Sequence, residues 1–223
     1  MCGRFTLTAD LDQIEERFSF RRTANFSFTP HYNIAPSQPV LTVVNDGTER
    51  RAGLLRWGLI PSWAKEEAIG NRMINARAET LAEKPSFKRA LQKRRCLVIA
   101  DGFYEWKAEG KRKTPMFITL KSRKPFGFAG LWETWKAPGG EAIHSCTIIT
   151  TTPNTLMESI HNRMPVILPR KAEALWLDRT VDDPQTLLPL LAPYPDKEMS
   201  AYEVSLLVNS PRNDVPACIE PVQ

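Results

Sequence analysis

The sequence predicts an α+β fold with a mainly antiparallel, barrel-like β-sheet core and peripheral short helices. Apolar segments of strand length, such as residues 97–100 and 147–150, recur along the chain. Helical segments lie between them without the regular alternation that is typical of a parallel βαβ fold. The chain has 223 residues, of which 42% are hydrophobic and 25% charged, a composition typical of globular proteins. We therefore expect a single domain over residues 1–223.

Short apolar segments between turn signals are predicted to be strands. Asn45-Asp46-Gly47 is a hairpin signal between the first two of them. Glu109-Gly110 marks a turn before the fourth, and Pro138-Gly139-Gly140 joins the fifth and sixth into a hairpin. The expected strands are residues 40–44, 52–57, 96–100, 116–120, 126–132, 143–150, 164–168 and 204–207.

Helices are predicted where apolar residues recur at helical spacing after a capping residue or a proline. Thr8 is expected to cap the first helix, and the break at Pro85 allows the second. Thr152 and Pro153 form a cap followed by proline at the first helical position. The expected helices are residues 11–18, 87–95, 153–161, 173–177 and 186–191. The expected loops are residues 30–39, 58–65 and the tail from residue 209.

The composition excludes several classes of protein. No stretch of about 18 apolar residues is present, so we expect no membrane span. The first residues lack the charged and apolar regions of a secretory signal, which predicts a cytoplasmic protein. Four cysteines without CxxC spacing and three histidines predict neither a disulfide framework nor a metal site, and no organic cofactor is expected. The net charge of +5 permits an anionic partner without proving one.

Cys2 needs a separate argument because of its position. Removal of Met1, which is expected before a small residue, would leave a free α-amine and a thiol on adjacent carbons. Their reference pKa values are ~7.7–8.0 and ~8.5, so both are partly available as nucleophiles near neutral pH. The amine can form an imine with an aldehyde, and the thiol can then close a five-membered thiazolidine with the effective molarity of a tethered group.

Position alone leaves three interpretations of Cys2. Met1 could remain, with Cys2 a buried structural thiol. Cys2 could be the nucleophile of an N-terminal-nucleophile hydrolase, since glutamine amidotransferases of that kind also begin Cys-Gly. Cys2 could instead capture an aldehyde. The other three cysteines, at positions 96, 146 and 218, are interpreted as structural thiols.

Six motifs in order along the chain resemble the SRAP family, the SOS response-associated peptidases or abasic-site processing proteins. They are Met1-Cys2-Gly3-Arg4-Phe5, Tyr32-Asn33-Ile34-Ala35-Pro36, Trp57-Gly58-Leu59-Ile60-Pro61, Ile74-Asn75-Ala76-Arg77-Ala78-Glu79-Thr80, Ala100-Asp101-Gly102-Phe103-Tyr104-Glu105-Trp106-Lys107 and His161-Asn162-Arg163-Met164-Pro165. Six motifs in register are far more specific than any one of them. The amidotransferase interpretation is correspondingly disfavoured.

The resemblance implies a protein that captures abasic sites in single-stranded DNA through a thiazolidine on Cys2. It implies that Asn75 positions the sugar, that His161 protonates the ring oxygen and that Glu105 moves protons. The residues themselves are compatible with this chemistry. Glu105 follows a buried segment among aromatic residues, a setting that raises a carboxyl pKa, and a free imidazole has a reference pKa of ~6.5.

The resemblance also implies the DNA-binding residues. Arg4, Arg77 and Arg163 would bind phosphates, for which a guanidinium fork has matching geometry. Pro36, Trp63 and Trp106 would form a platform for flanking bases, although the loop after Pro61 departs from the family pattern. Without the resemblance, each of these residues would be an ordinary surface charge or a packing residue. The basic clusters, including residues 111–113, are interpreted as solvated faces.

We therefore expect a monomeric enzyme of the DNA-damage and SOS response, associated with the nucleoid when bound to DNA. The expected partner is single-stranded DNA containing abasic sites, and neither metal nor membrane is expected. Two alternatives stay open. One is a thiol peptidase or autopeptidase with Cys2 as the N-terminal nucleophile, and the other is a DNA-binding module without catalysis.

Overall fold

The computed structural model describes residues 2–20 and 27–222, and these residues form thirteen strands and five α-helices. The strands are β1 (Phe5–Leu7), β2 (His31–Ile34), β3 (Pro39–Asn45), β4 (Arg50–Trp57), β5 (Asn75–Arg77), β6 (Arg95–Ala100), β7 (Gly102–Glu109), β8 (Arg112–Leu120), β9 (Phe126–Lys136), β10 (Ala142–Thr151), β11 (Met164–Pro165), β12 (Ile167–Leu168) and β13 (Met199–Glu203). The helices are α1 (Leu11–Phe18), α2 (Pro85–Lys93), α3 (Thr155–Glu158), α4 (Arg170–Leu177) and α5 (Pro184–Leu187). Short 3₁₀ helices cover Glu67–Arg72, Ala78–Thr80, Leu188–Leu190, Asp196–Glu198, Leu206–Asn209 and Pro216–Cys218.

Five strands close a barrel in the order β10, β4, β3, β6 and β9, and β9 pairs again with β10 to complete the circle. These pairings are antiparallel except that of β4 with β10, which is parallel. β5 adds a second parallel pairing at β10. β6 is buried along its whole length and forms part of the core. The predicted α+β class with a mainly antiparallel, barrel-like sheet is confirmed.

β9 approaches both of its neighbouring strands closely at Gly130, which lies opposite Cys96 of β6 and Ile148 of β10. A Cβ atom there would lie 2.9 Å from Sγ of Cys96 on β6 and 3.1 Å from the carbonyl oxygen of Thr147 on β10. Both distances are shorter than ordinary van der Waals contact. A side chain at this position would therefore require the Cys96 side chain and the β10 backbone to shift.

A second sheet of five antiparallel strands, in the order β13, β8, β7, β1 and β2, packs against the barrel. The Phe5 ring of β1 makes edge contacts with Trp57 of β4 and Phe128 of β9, at centroid distances of 5.1 and 5.9 Å. Edge-to-face aromatic pairs of this kind add to the burial energy of the rings. Because β1 is anchored in this way, the N-terminal residues that precede it are held against the core.

Asp101, between β6 and β7, fixes the other end of β1. Its Oδ1 accepts a hydrogen bond from Thr6 Oγ1 at 2.6 Å. Its Oδ2 accepts from Thr8 N at 2.5 Å, from Thr8 Oγ1 at 2.7 Å and from Ala9 N at 3.0 Å. One carboxylate thus satisfies four donors of the N-terminal segment, and hydrogen bonds to charged groups are among the stronger ones in proteins.

Asp101→Ala should lower the free energy of unfolding by about 2–4 kcal/mol, because it removes the acceptor of four partly buried hydrogen bonds. Urea denaturation would measure this. Asp183→Ala is the matched control, since Asp183 also accepts three hydrogen bonds but at the exposed start of α5. The control should cost about 1 kcal/mol, as is usual for a helix cap. Equal losses in the two variants would contradict this role of Asp101.

Two predicted helix caps are wrong, and the reasons are local. Asp10, and not Thr8, caps α1 by accepting a backbone hydrogen bond from the first turn at 2.8 Å. The Thr8 hydroxyl instead donates a hydrogen bond to Asp101. Asn154, and not Thr152, caps α3 with a bond of 3.0 Å, so that helix begins later and ends earlier than predicted.

Several other elements differ from the prediction because they depend on distant pairing. Residues 31–34, inside the expected loop over 30–39, form β2 because β1 offers them an edge. The last strand is β13, before the predicted residues 204–207, which instead lead into a 3₁₀ helix. The predicted strand over 164–168 is divided into β11 and β12. Within residues 2–20 and 27–222, no helix has the length and apolar character needed to cross a membrane.

Candidate active site

Cys2 lies just before β1, and its side chain is completely buried. Its Sγ is 3.9 Å from the carbonyl oxygen of Arg4, to which the thiol donates a weak hydrogen bond. Burial raises the pKa of the Cys2 thiol well above its ordinary value, and the negative charge of Glu105 raises it further. The thiol is therefore protonated at neutral pH, and Glu105 is close enough to influence it.

Asn75 reaches Cys2 from β5. The strand pairs in parallel with β10, where Asn75 lies opposite Ile148, and the Trp57 Nε1 atom donates to the carbonyl oxygen of Ile74 at 2.9 Å. Asn75 Nδ2 donates to the carbonyl oxygen of Cys2 at 2.7 Å. The Oδ1 atom of Asn75 is buried and accepts no hydrogen bond within the described ranges. A buried acceptor without a hydrogen-bond donor among the described residues thus lies next to Cys2.

Glu105 lies on β7, the strand next to β1, with only 3% of its surface exposed. The Tyr104 backbone N–H donates to the Arg4 carbonyl at 3.0 Å and holds β7 against the N-terminal segment. Burial raises the pKa of the Glu105 carboxyl, and the charge of His161 acts in the opposite direction. A carboxyl with a raised pKa can exchange protons near neutral pH.

His161 follows α3 and shares a pocket with Glu105. Its backbone N–H donates to the Met157 carbonyl at 2.8 Å. Its ring Nδ1 lies 3.0 Å from the backbone nitrogen of Arg163 and 3.2 Å from the Arg163 carbonyl oxygen, so this edge of the ring is held in either tautomer. The pocket is open and has a volume of about 500 Å³. It is lined by Glu105, Trp106, Lys113, His161 and Asn209.

The three predicted arginines lie around this region but differ in how they are used. Arg77 is exposed on β5, two residues after Asn75. Arg4 is partly buried, and its Nη1 donates to Asn33 Oδ1 at 2.7 Å. Arg163 forms a two-point ion pair with Glu79 at 2.6 and 3.0 Å. Arg77 is therefore the most accessible of the three to a phosphate, while Arg4 and Arg163 also hold the scaffold together.

The residues of the predicted base platform are not all in one place. Trp106 lines the pocket of Glu105 and His161, and its Nε1 donates to Asn209 Oδ1 at 2.7 Å. Pro36 is partly exposed after β2. Trp63 is 59% exposed and lines a separate surface pocket with residues from 64 to 72. The structure thus joins Trp106 directly to the candidate site and places Trp63 on a neighbouring surface loop.

The family described as SOS response associated peptidase (SRAP) matches this sequence over residues 1–211. The chain belongs to the SRAP family. This match confirms the resemblance that the six motifs indicate.

Relatives of this SRAP protein cover almost its whole length. It is 55% identical over 222 residues to the abasic site processing protein YoqW of Bacillus subtilis (strain 168), with 99% of each chain covered. It is 32% identical over 262 residues to the abasic site processing protein HMCES of Xenopus tropicalis, covering 98% of this chain and 78% of that protein. An X-ray crystal structure of a protein from Bacteroides thetaiotaomicron matches with 28% identity, a TM-score of 0.91 and complete coverage of both chains.

Three residues near the SRAP site were not singled out from the sequence. Lys113 and Asn209 line the pocket of Glu105 and His161, although Lys113 belongs to a basic run that was interpreted as a solvated face. Asn33 is 1% exposed, and its Nδ2 donates to three carbonyl oxygens of the C-terminal segment. These carbonyls belong to Val208, Ser210 and Asn213, at 3.2, 3.0 and 2.7 Å. Asn33 thereby connects Arg4 with the segment that carries Asn209.

Metal-binding side chains do not gather anywhere in the part of the chain that the structure describes. There, no group of three or more His, Cys, Asp or Glu residues could hold a metal ion. The cysteines are free and buried at positions 2, 96, 146 and 218. Burial raises the pKa of the Cys96 and Cys146 thiols, which fits their interpretation as structural residues.

Glu105→Gln should stabilise the fold at pH 8 while slowing any proton transfer that Glu105 performs. Burial raises the pKa of Glu105 in the folded state, so the folded protein favours the protonated carboxyl. The stability that this preference contributes is fully present below the unfolded-state pKa and is lost as pH rises through the folded-state pKa. At pH 8 the buried charge of Glu105 therefore destabilises the fold, and the neutral Gln does not. A gain of about 1 kcal/mol would raise the Tm of a chain of this size by roughly 2–4 °C. Thermal melting at pH 8 and pH 4 would measure the difference, which should vanish at pH 4. A variant less stable than the wild type at pH 8 would contradict the burial argument.

Proposed function

We propose that this SRAP protein binds single-stranded DNA and captures abasic sites as a thiazolidine on Cys2, once Met1 has been removed. The observation that carries the proposal is the 2.7 Å hydrogen bond from Asn75 to the carbonyl of Cys2, beside a carboxyl and an imidazole. Relatives named abasic site processing proteins support it, at 55% and 32% identity. The ring-opened abasic deoxyribose supplies the aldehyde that an amino thiol would capture.

The first step would open the sugar ring. The closed abasic sugar is a hemiacetal, so its opening breaks the bond between C1 and the ring oxygen. The ring oxygen gains one proton, and the C1 hydroxyl loses one to solvent water. His161 is proposed to donate the first proton. The buried Oδ1 of Asn75, which accepts no hydrogen bond within the described ranges, is suited to hold a sugar hydroxyl during this step.

The second step would form the thiazolidine. The Cys2 amine adds to the aldehyde carbon to give a carbinolamine. Glu105 is proposed to donate a proton to the leaving hydroxyl and to recover one from the nitrogen, so that loss of water gives an imine. Sγ of Cys2 then adds to the imine carbon, and its proton passes through Glu105 to the nitrogen. One aldehyde and one amino thiol thus give one thiazolidine and one water. The closure is intramolecular and gains the effective molarity of a tethered nucleophile.

The two mechanisms differ in the group of Cys2 that attacks first. A thiol peptidase would attack its substrate with the Cys2 thiolate. In the thiazolidine sequence the amine attacks first, and the thiol adds only to an imine already bonded to the same residue. Turnover of a peptide that is insensitive to Arg77→Ala would instead support the peptidase alternative.

Arg77→Ala should weaken binding of abasic single-stranded DNA by about tenfold, or roughly 1.4 kcal/mol. Arg77 is the exposed arginine next to Asn75, and loss of one phosphate contact should also reduce the slope of log K against log salt by about 0.7. Fluorescence anisotropy over a salt series would measure both. Arg89→Ala, at an exposed position on α2, removes the same charge as a control. Equal effects of the two substitutions would exclude a specific contact of Arg77.

A denaturing gel tests the proposed function. Protein with Cys2 as its first residue is incubated with single-stranded DNA that carries one abasic site. A shifted band that survives heating is expected. No such band should form with intact DNA or with a tetrahydrofuran analogue, because neither has an aldehyde. Absence of the band with the abasic strand would overturn the proposal.

A further inference from the structure

Lys113, on β8, lies at the boundary between two surface pockets. It lines the pocket that contains Glu105 and His161. It also lines a second pocket of about 690 Å³, here called the C-terminal groove, between residues 112–115 of β8 and residues 203–222. Because a single side chain borders both, the two pockets are adjacent on the surface.

The C-terminal groove exposes apolar side chains that the fold does not use. Leu206 and Leu207 line it and are 65% and 45% exposed, and Val222 is 53% exposed. Neighbouring exposed apolar residues of this kind are typical of surfaces that contact another molecule. The leucines belong to the 3₁₀ helix that ends at Asn209, the hydrogen-bond partner of Trp106. The groove and the candidate site therefore share one wall.

Lys113 differs from the other cation of the groove, Arg112, in having no carboxylate partner among the described residues. Glu203 Oε1 lies 3.4 Å from Arg112 Nη2, so these two charges offset each other. Glu220 is exposed among the C-terminal residues of the groove. No carboxylate within residues 2–20 and 27–222 pairs with Lys113. A cation at the entrance and an apolar surface beyond it match a nucleotide, whose phosphate is anionic and whose base has flat apolar faces.

We propose that the DNA strand leaves the pocket of Glu105 and His161 past Lys113 and continues into the C-terminal groove. One phosphate contacts Lys113, and the next one or two bases pack against Leu206 and Leu207. The inference rests on the proposed function and adds that the protein contacts more DNA on one side of the abasic site than on the other. Flanking single-stranded DNA on one side of the lesion contributes to affinity through this groove.

Binding to truncated strands tests the assignment. Dissociation constants are measured for the wild type, Lys113→Gln and Lys111→Gln on oligonucleotides that carry a tetrahydrofuran analogue, which cannot crosslink. The strands are shortened stepwise from the 5′ side or from the 3′ side. Lys111→Gln removes the same charge from the adjacent turn, at a residue that lines neither pocket. Leu206→Ser tests the apolar contact independently of charge.

On the longest strand, Lys113→Gln should weaken binding by about five- to tenfold and reduce the salt slope by about 0.7, and Lys111→Gln should have less than about a twofold effect. The effects of Lys113→Gln and Leu206→Ser should disappear when the strand is shortened from one side, and persist when it is shortened from the other. Equal effects of the two lysine substitutions, or effects independent of the truncated side, would overturn the groove assignment. Crosslinking to true abasic DNA separates the two claims, because wild-type crosslinking would leave the proposed function intact even if the groove assignment failed.

Discussion

Cys2→Ala should reduce the yield of heat-stable crosslink to abasic single-stranded DNA by more than about 100-fold. Alanine is small enough for Met1 removal, so the variant retains a free α-amine. This amine can form an imine with the aldehyde, but no thiol is available to close the ring, and the imine hydrolyses. Borohydride should trap the imine in the variant and restore a stable band. Gel quantification with and without borohydride measures both effects.

Cys218→Ser is the matched control for loss of a thiol. Cys218 is also fully buried, and its Sγ donates to the Asn213 carbonyl at 3.3 Å, a bond that a serine hydroxyl can replace. The variant should crosslink like the wild type. Undiminished crosslinking by Cys2→Ala without borohydride would refute the thiazolidine.

Extending the chain ahead of Met1 should block crosslinking as completely as loss of the thiol. A tag of that kind places the nitrogen of Cys2 in a peptide bond, and an amide nitrogen cannot form an imine. The Cys2 side chain itself is unchanged, so the experiment separates the role of the amine from that of the sulfur. The measurement is the rate of band formation on a denaturing gel.

Cleavage of the tag supplies the control within the same preparation. A protease that leaves Cys2 as the first residue should restore crosslinking to the rate of the untagged protein. A protease that leaves one extra residue before Cys2 should not restore it. Crosslinking by the uncleaved protein would show that the α-amine of Cys2 is not the reacting group.

The fold could be predicted where a segment determines its own structure. The strand over residues 96–100 is uniformly apolar and buried, and it forms β6 between β3 and β9 in the barrel wall. β2 could not be predicted in the same way, because the proline-rich residues around it are typical of a loop and only pairing with β1 makes it a strand. The caps at Asp10 and Asn154 were missed because nearby threonines are also good capping residues.

The residues of the candidate site also differ in whether the local sequence is enough to predict them. Cys2, Glu105 and His161 can be proposed from the sequence because they lie in motifs and carry distinctive chemistry. Lys113 was not distinguished from its basic neighbours, since only the pairing of β7 with β8 brings it to the pocket. Asn33 was quoted in a motif without a role, because its partners lie more than 170 residues further along the chain. Contacts across that separation have no local signature in a single sequence.

Mass spectrometry of the digested crosslink tests the central claim most directly. The thiazolidine predicts that the N-terminal peptide begins at Cys2 and carries the abasic sugar with the loss of one water. It also predicts that neither the α-amine nor the thiol of Cys2 reacts with an alkylating reagent. An adduct on a lysine or histidine, or a Cys2 thiol that is still alkylated in the crosslinked peptide, would contradict it.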